Sequence, residues 1–292
     1  MTTAGFVTIV GRPNAGKSTL LNRLVGERLA IVSPKPQSTR DRVVGILSDD
    51  TSQIVLLDTP GLLEPRYGLH RAMLHAAQKA IADADVIVHL VDASEDQPRD
   101  LVELAQLPAR PKAPVLLALN KADRLTPARQ AELLERHPGA LLIAGGTGEG
   151  VDALLAAIRA RLPESPFLYD AEDVSTQQLR FFVAEFLREV VLEQLEDEVP
   201  YGVAVEIEEF REAADPVYIR AVLHVERESQ KRIIIGAGGS RIKAIGQEAR
   251  RRIEPLVGRP VFLDLWVKVL HNWRRNAASL ARLGYRLPEE ER

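Results

Sequence analysis

The run Gly11-Arg12-Pro13-Asn14-Ala15-Gly16-Lys17-Ser18 follows directly on the apolar stretch Phe6-Val7-Thr8-Ile9-Val10. This juxtaposition constrains the fold more than any other feature of the chain. A G-x-x-x-x-G-K-S pattern cradles phosphates when a buried strand delivers the chain to the turn and a helix opens straight after it. Ser18-Thr19-Leu20-Leu21-Asn22-Arg23-Leu24 supplies that helix. Main-chain N–H groups around Gly16 then wrap a β-phosphate, Lys17 reaches β and γ oxygens, and the Ser18 hydroxyl is placed to hold Mg²⁺. The helix N-terminus adds a favourable dipole.

The rest of the chain agrees with this start. Its 292 residues suggest two domains. Through about residue 162, strand patterns at 6–10, 42–47, 53–57, 86–91, 115–119 and 140–143 alternate with helical patterns at 18–25, 70–81, 99–107, 127–136 and 151–161. That alternation predicts an α/β domain around a mostly parallel six-stranded sheet, with ligands outside the carboxyl ends of the strands. Two prolines in Leu162-Pro163-Glu164-Ser165-Pro166-Phe167 break the pattern. The expected boundaries are 1–165 for the first domain, 166–175 for a linker and 176–292 for the second. The second reads as a helix over 175–196, strands at 203–210 and 217–225, a short basic helix at 229–234, a helix over 241–253 stopping before Pro255, and a strand at 261–269. An acidic tail, Glu289–Glu291, closes the chain.

Composition removes several function classes. With no cysteine there is neither a disulfide framework nor a Cys-based zinc site. No apolar run approaches the roughly 18 residues of a membrane span. Met1-Thr2-Thr3-Ala4-Gly5 lacks a basic leader region, so a cytoplasmic protein is expected; a monomer is expected as well. The net charge of −3 conceals an asymmetry: residues 227–275 hold twelve Lys/Arg against four Asp/Glu, while 185–215 hold two against eleven. A basic cluster inside an acidic chain points to a polyanion partner.

Further motifs narrow the nucleotide. Asp58-Thr59-Pro60-Gly61 closes the third strand pattern. Alone it is only a strand-to-turn sequence. Behind a phosphate loop, Asp58 can hold Mg²⁺ through water and the Gly61 N–H can approach a γ-phosphate. Asn120-Lys121-Ala122-Asp123 ends another strand. An Asp123 carboxylate accepts from both the ring N–H and the exocyclic amine of guanine, a pattern adenine does not offer. Lys121 can lay its stem over the base, and Asn120 can tie the two loops together. Leu62 follows Gly61, where a glutamine orients the attacking water in Ras-like enzymes; leucine cannot do this.

In the second domain, Ile234-Ile235-Gly236-Ala237-Gly238-Gly239-Ser240-Arg241-Ile242 places a G-x-x-G turn between two helical patterns, with Lys231, Arg232, Arg241 and Lys243 around it. Such a turn clamps the backbone of about four single-stranded nucleotides. The α-β-β-α-α-β order is that of a type II KH domain, so Lys231, Arg232, Ile235, Gly236, Ala237, Gly238, Gly239, Ser240, Arg241 and Lys243 are the candidate RNA contacts. Ile233–Ile235 and Ile242 can floor the cleft. Trp266 alternates along the last strand and is expected in the core, whereas Trp273, beside Arg274 and Arg275, suits core packing or base stacking equally.

The three nucleotide motifs in this order resemble translation-factor-related GTPases. With the KH arrangement and the segment Pro36-Gln37-Ser38-Thr39-Arg40, the chain resembles the Era family of bacterial GTPases, within the Era/TrmE-related group, along nearly its whole length. The resemblance implies a P-loop GTPase domain followed by a type II KH domain, with GTP and GDP as ligands and Mg²⁺ as cofactor. It makes 37–41 the first switch, Thr39 the Mg²⁺ ligand that senses the γ-phosphate, and Lys17, Thr39 and Gly61 the catalytic set. Asn14 becomes a candidate K⁺ ligand. Ala144-Gly145-Gly146 stands where a serine-containing base loop is usual, so Ala144 and Gly145 are expected to meet the guanine from a more mobile loop. The resemblance also implies binding of the 16S rRNA 3′ end, assistance to small (30S) ribosomal subunit assembly, and weak peripheral association with the inner face of the cell membrane. A tRNA-modification GTPase, a membrane or cell-cycle checkpoint GTPase, and an RNA-binding protein with a weak G domain remain open.

Overall fold

The computed structural model describes residues 1–94 and 97–288, so the acidic tail lies outside the described residues. The chain divides into two compact units, one of Met1–Pro65 and Met73–Thr176, the other of Arg66–Ala72 and Gln177–Arg292.

The first unit is built on strands β1 (Thr3–Val10), β2 (Val43–Ser48), β3 (Ser52–Asp58), β4 (Val86–Asp92), β5 (Val115–Asn120) and β6 (Leu141–Leu142), in the order β2-β3-β1-β4-β5-β6. All neighbours are parallel except β2 and β3. Every residue of β3 and β4 is buried, as expected of central strands covered on both faces. Around the sheet run α1 (Lys17–Val25), α2 (Gly68–Ala82), α3 (Leu101–Leu104), α4 (Pro127–Arg136) and α5 (Val151–Arg159). Of α2, the residues through Ala72 count with the second unit. Helix α3 is far shorter than the 99–107 pattern. Asp100 Oδ1 accepts from the Val102 and Glu103 amides to start it, but Gln106 turns left-handed at φ 50° just before Pro108 and stops it. Residues 166–175 are pinned within this unit. Leu168 and Tyr169 N–H groups donate to Gln53 Oε1, and Ser175 Oγ donates to Val44 O.

The second unit runs α6 (Leu179–Gln194), β7 (Ala204–Arg211), β8 (Val217–Val225), α7 (Glu228–Ile235), α8 (Ser240–Val257), β9 (Val261–Val269) and α9 (Ala277–Arg282). The sheet order is β7-β8-β9, antiparallel then parallel. Its core joins Val183, Leu187 and Val190 of α6, Ile219, Ala221 and Leu223 of β8, and Ile245, Ala249 and Ile253 of α8. Helix α8 does not stop before Pro255. It runs on to Val257, because Leu256 and Val257 pack against the core and left-handed Gly258 caps the end. Pro255 is exposed, and the packing of Leu256 and Val257 offsets the hydrogen bond it forfeits.

Trp266 overturns its expectation, and Trp273 takes the core-packing side of its two readings. Trp266 is 52% exposed, while Trp273 is fully buried, with its indole N–H donating to Gly202 O at 2.9 Å. Strand parity decides this. Val261 and Val267 of β9 are buried and Leu263, Leu265 and Val269 pack against the core, which turns Trp266 to the opposite face.

Segment 66–72 is part of the second unit's own packing. Leu69 N–H donates to Arg274 O at 2.8 Å, and the Arg274 guanidinium lies 5.2 Å from the Tyr67 ring centre. A Cβ on Gly68 would come within 2.8 Å of Leu280 Cδ1 and 3.0 Å of Arg274 O.

Candidate nucleotide site and nucleic-acid cleft

The ends of β1, β3 and β5 converge on one 380 Å³ cleft lined by Pro13, Asn14, Lys17, Ser18, Thr39, Gly61, Lys121 and others. The loop after β1 requires glycine at Gly16, which is left-handed at φ 96°. A Cβ there would meet Asn120 Nδ2 at 2.3 Å. Asn120 is the hub of the site: its Nδ2 donates to Ala15 O at 2.7 Å and its Oδ1 accepts from Gly145 N–H at 2.8 Å. One buried amide thus ties the phosphate loop to the base loop.

Lys17 is buried and donates to the carbonyls of Gly11 and Arg12 at 3.2 and 3.0 Å. Burial lowers the pKa of its ammonium, and Asp58 opposes that shift. Asp58 is buried too. Burial raises its pKa, against the pull of Lys17 and the hydroxyls of Ser18 and Thr39. Ser18 Oγ donates to Asp58 Oδ2 at 2.7 Å and lies 3.0 Å from Thr39 Oγ1, which is 3.2 Å from the same carboxylate oxygen. Of the adjacent hydroxyls Ser38 and Thr39, it is therefore Thr39 that joins this cluster. Asp58 Oδ1 is buried with no hydrogen-bond partner. Two hydroxyls and a carboxylate are a hard-oxygen set, and an unsatisfied buried carboxylate oxygen is what a divalent cation would answer. The residues fit Mg²⁺, which Ser18, Thr39 and Asp58 would hold and which would supply positive charge against the phosphates.

Gly61 sits where a Cβ would be 2.8 Å from the Pro13 backbone, so the Asp58–Gly61 segment approaches the phosphate loop main chain to main chain. Thr59 Oγ1 donates to Ile9 O at 2.8 Å and, with buried Pro60, pins the strand end. Leu62 does not face the cleft. Its N–H donates to Gly11 O at 2.9 Å and its side chain lies in a core cluster with Val10, Leu74, Ala77 and Ile87. Asn14, left-handed at φ 64°, donates its side-chain amide to Pro34 O at 3.0 Å, linking the phosphate loop to the segment that leads into Thr39.

On the base side, Asp123 lies in a short 3₁₀ turn over Ala122–Arg124. Ala122 holds the turn through its N–H to Ile143 O (3.0 Å) and its carbonyl, which accepts from Gln130 Nε2 (2.9 Å). Lys121 is anchored by an ion pair to Asp92, whose carboxyl is held below its usual range despite burial, by Lys121 and Ser94. The amides of Ala144 and Gly145 are both engaged within the protein, by Glu149 O and Asn120 Oδ1.

Three contributors escaped the sequence reading. Asp92 braces Lys121, Arg124 lines the cleft, and Arg23 of α1 grips the base loop. Arg23 Nε donates to Gly145 O at 2.7 Å and its Nη2 to Gly146 O. Two consecutive carbonyls held by one guanidinium offset the freedom of two adjacent glycines. The spacing signal was weak, because Arg23 stands 122 residues from Gly145. Arg23→Ala is expected to speed GDP release about tenfold, equivalent to losing about 1.4 kcal/mol, while the chemical step is little changed. Stopped-flow release of a fluorescent GDP checks this, and an unaltered rate would show that Arg23 does not restrain the loop.

In the second unit, the G-x-x-G turn joins α7 to α8. Gly236 (φ 72°, ψ 174°) has a conformation essentially restricted to glycine. Gly238 and Gly239 are left-handed as well, at φ 57° and 78°. Ser240 opens α8, Arg241 Nη1 donates to Ile233 O, and Lys231, Arg232 and Lys243 flank the turn. Beside the turn runs a 390 Å³ cleft between α8 and β9, lined by Ile242, Lys243, Gly246, Arg250, Phe262 and Leu265 among others. Of the expected floor, Ile242 is present. Ile234 is buried in the core, Ile235 packs partly against it and Ile233 is 41% exposed. Leu263 and Leu265 of β9 take their place. The Arg250–Arg252 run divides as helical spacing requires. Arg250 lines the cleft, while Arg252 is held by Glu189, Glu193 and Glu248 on the core side.

Comparison with known proteins gives two family matches: 50S ribosome-binding GTPase over residues 6–121, and KH domain over residues 198–274. The chain is 41% identical to GTPase Era of Carboxydothermus hydrogenoformans and 42% identical to that of Geobacter metallireducens. Each alignment spans 290 residues and 97% of both chains. It is also similar to a crystal structure of Era in complex with MgGDPNP and nucleotides 1506–1542 of 16S ribosomal RNA, with TM-score 0.90, 38% identity, and coverage of 98% of this chain and 100% of the other. A crystal structure of a point variant of Aquifex aeolicus Era bound to GDP·AlF4⁻ matches with the same TM-score, identity and coverage.

Proposed function

Because the chain belongs to the Era family of GTPases, we propose that it is a GTP-driven clamp for ribosomal RNA. It binds GTP with Mg²⁺ at Gly11–Ser18, hydrolyses it to GDP and phosphate, and holds the 3′ end of 16S rRNA at the Gly236–Gly239 turn while the small subunit is assembled. The observation that carries this reading is the convergence of Ser18, Thr39 and Asp58 at hydrogen-bond distance. That convergence joins the phosphate loop, the 37–41 switch and the Asp58–Gly61 segment in one cluster whose order a γ-phosphate and Mg²⁺ would stabilise. Lys17 and Gly61 face the transferring phosphate. Asp123 selects guanine. Nucleotide state then biases the RNA cleft. Titrating a 3′-terminal 16S rRNA oligomer with GDP or a non-hydrolysable GTP analogue bound tests the reading: tighter binding with the analogue is expected, and equal affinity would reject the coupling.

Hydrolysis is intrinsically slow in this reading, since Leu62 offers no group to orient water and is committed to the core. Asn14 supports a K⁺ ion beside the phosphates, supplying positive charge to the transition state. Replacing NaCl by KCl at constant ionic strength is expected to raise turnover roughly tenfold. Asn14→Ala should remove the difference, and equal rates of the unmodified protein in the two salts would exclude the ion. No helix among the described residues is long and apolar enough to cross a membrane, so the implied membrane association would be peripheral.

A further inference from the structure

Strand β2 is an edge strand of the first sheet. An open edge leaves main-chain groups unpaired, and part of this one is covered by the residues that lead into the second unit. Ile46 N–H donates to Val174 O at 2.9 Å, and Ser175 Oγ donates to Val44 O at 2.6 Å. A second attachment lies upstream. Gln53 of β3 is fully buried; its Oε1 accepts from the Leu168 and Tyr169 amides at 2.7 and 3.0 Å, and its Nε2 donates to Tyr169 O at 2.9 Å. Tyr169 also packs against the cluster of Val44, Val55, Leu57 and Ala80. The two attachments differ in kind. A buried amide with all of these bonds is costly to strip. Residues 170–174 are exposed throughout, Val174 at 46%, so the Val174–Ser175 clasp is the end that can open locally.

The clasp sits where nucleotide state is felt. Thr39, bonded to Ser18 and Asp58, precedes β2 by four residues, and Val43 at the start of β2 pairs with Asp58 itself. On its other side, Leu179 opens α6 four residues after Ser175. Helix α6 shares its core with α8, and Glu189 and Glu193 hold Arg252 of α8. Helix α8 in turn begins at Ser240, directly after the G-x-x-G turn. Resting on the reading of the chain as a nucleotide-switched RNA clamp, we propose that Val174 and Ser175 form a clasp on the β2 edge that passes nucleotide state to α6. With GTP and Mg²⁺, Thr39 is held, the start of β2 is fixed and the clasp is closed. With GDP, the start of β2 loosens and the clasp opens back to the anchor at Gln53. Opening lengthens the free chain before α6 from the three residues 176–178 to the nine residues 170–178, or from about 10 to about 30 Å of extended reach. The chain also crosses between the units at 65–66 and 72–73, so the open clasp frees the start of α6 while those crossings hold.

Ser175→Ala and Ser175→Thr in the full-length protein test this. Ser175 is not among the residues lining the nucleotide cleft, so GTP affinity and turnover are expected to be unchanged in both. The quantity measured is the ratio of affinities for a 3′-terminal 16S rRNA oligomer with a non-hydrolysable GTP analogue and with GDP. Ser175→Ala is expected to cut that ratio about fivefold, the share that one hydrogen bond of the clasp carries. Ser175→Thr keeps the hydroxyl and should keep the ratio. Hydrogen exchange of the unmodified protein gives a second readout, because the Ile46 amide is bonded in the clasp. That amide should exchange about tenfold more slowly with the analogue than with GDP. A full ratio in Ser175→Ala, or exchange at Ile46 that ignores the nucleotide, overturns the clasp and leaves the clamp reading standing. If the unmodified protein binds the RNA equally with both nucleotides, the coupling reading falls and the clasp with it.

Discussion

Asp123→Asn is expected to weaken GTP binding about a thousandfold while improving binding of xanthosine triphosphate. In the proposed reading the carboxylate would accept from two guanine N–H groups, each charge-assisted bond contributing about 1.5–3 kcal/mol. Replacing both by contacts with an amide that offers a donor to a donor costs about 4 kcal/mol, or three powers of ten. Xanthine carries a carbonyl in place of the exocyclic amine, and an asparagine amide can donate to it. The loop should survive the exchange, because its position is set by Ala122 main-chain bonds to Ile143 and Gln130. Competition of both triphosphates against a fluorescent GDP measures the effect. GTP affinity within tenfold of the unmodified protein would show that the base is selected elsewhere.

Gly236→Ala is expected to reduce RNA affinity between tenfold and a hundredfold with GTP binding unchanged. At φ 72° and ψ 174° a side chain is strained by about 1–3 kcal/mol. The added Cβ would also sit 2.8 Å from Arg241 Cβ and 3.0 Å from Arg241 N. The turn must therefore open, displacing the amides proposed to meet an RNA phosphate. Filter binding of RNA together with nucleotide titration separates the two effects, and unaltered RNA affinity would show that the turn does not clamp the strand. Gly239→Ala makes the contrast, since a Cβ there meets nothing within 4 Å and only the left-handed φ opposes it.

The parts of the site that were legible in sequence are those where chemistry demands residue type at fixed spacing along one stretch. The phosphate loop, Asp58–Gly61 and Asn120–Asp123 belong here, and strand periodicity put each at a strand end. Contacts between distant segments were not legible. Arg23 meets Gly145, and Asp92 braces Lys121, through topology that no local pattern encodes. Trp266 shows a third limit. An apolar residue on an alternating strand has two faces to choose from, and only the set of neighbours packed on each face decides between them. Pro255 shows a related limit: its local cost is offset by the packing of Leu256 and Val257, which no local pattern encodes.

Segment 66–72 bears on how separable the two units are. The second unit is completed by residues that lie within the first 165 of the chain. A fragment beginning at residue 176 would keep Arg274 and Leu280 but lack Leu69, Tyr67 and Gly68, which cover them. Such a fragment would expose apolar surface at the α9 end and lose a main-chain bond. The RNA clamp is thus modular in what it binds but not in how the chain builds it, and cutting at the proline-rich junction would divide the polypeptide without dividing the fold.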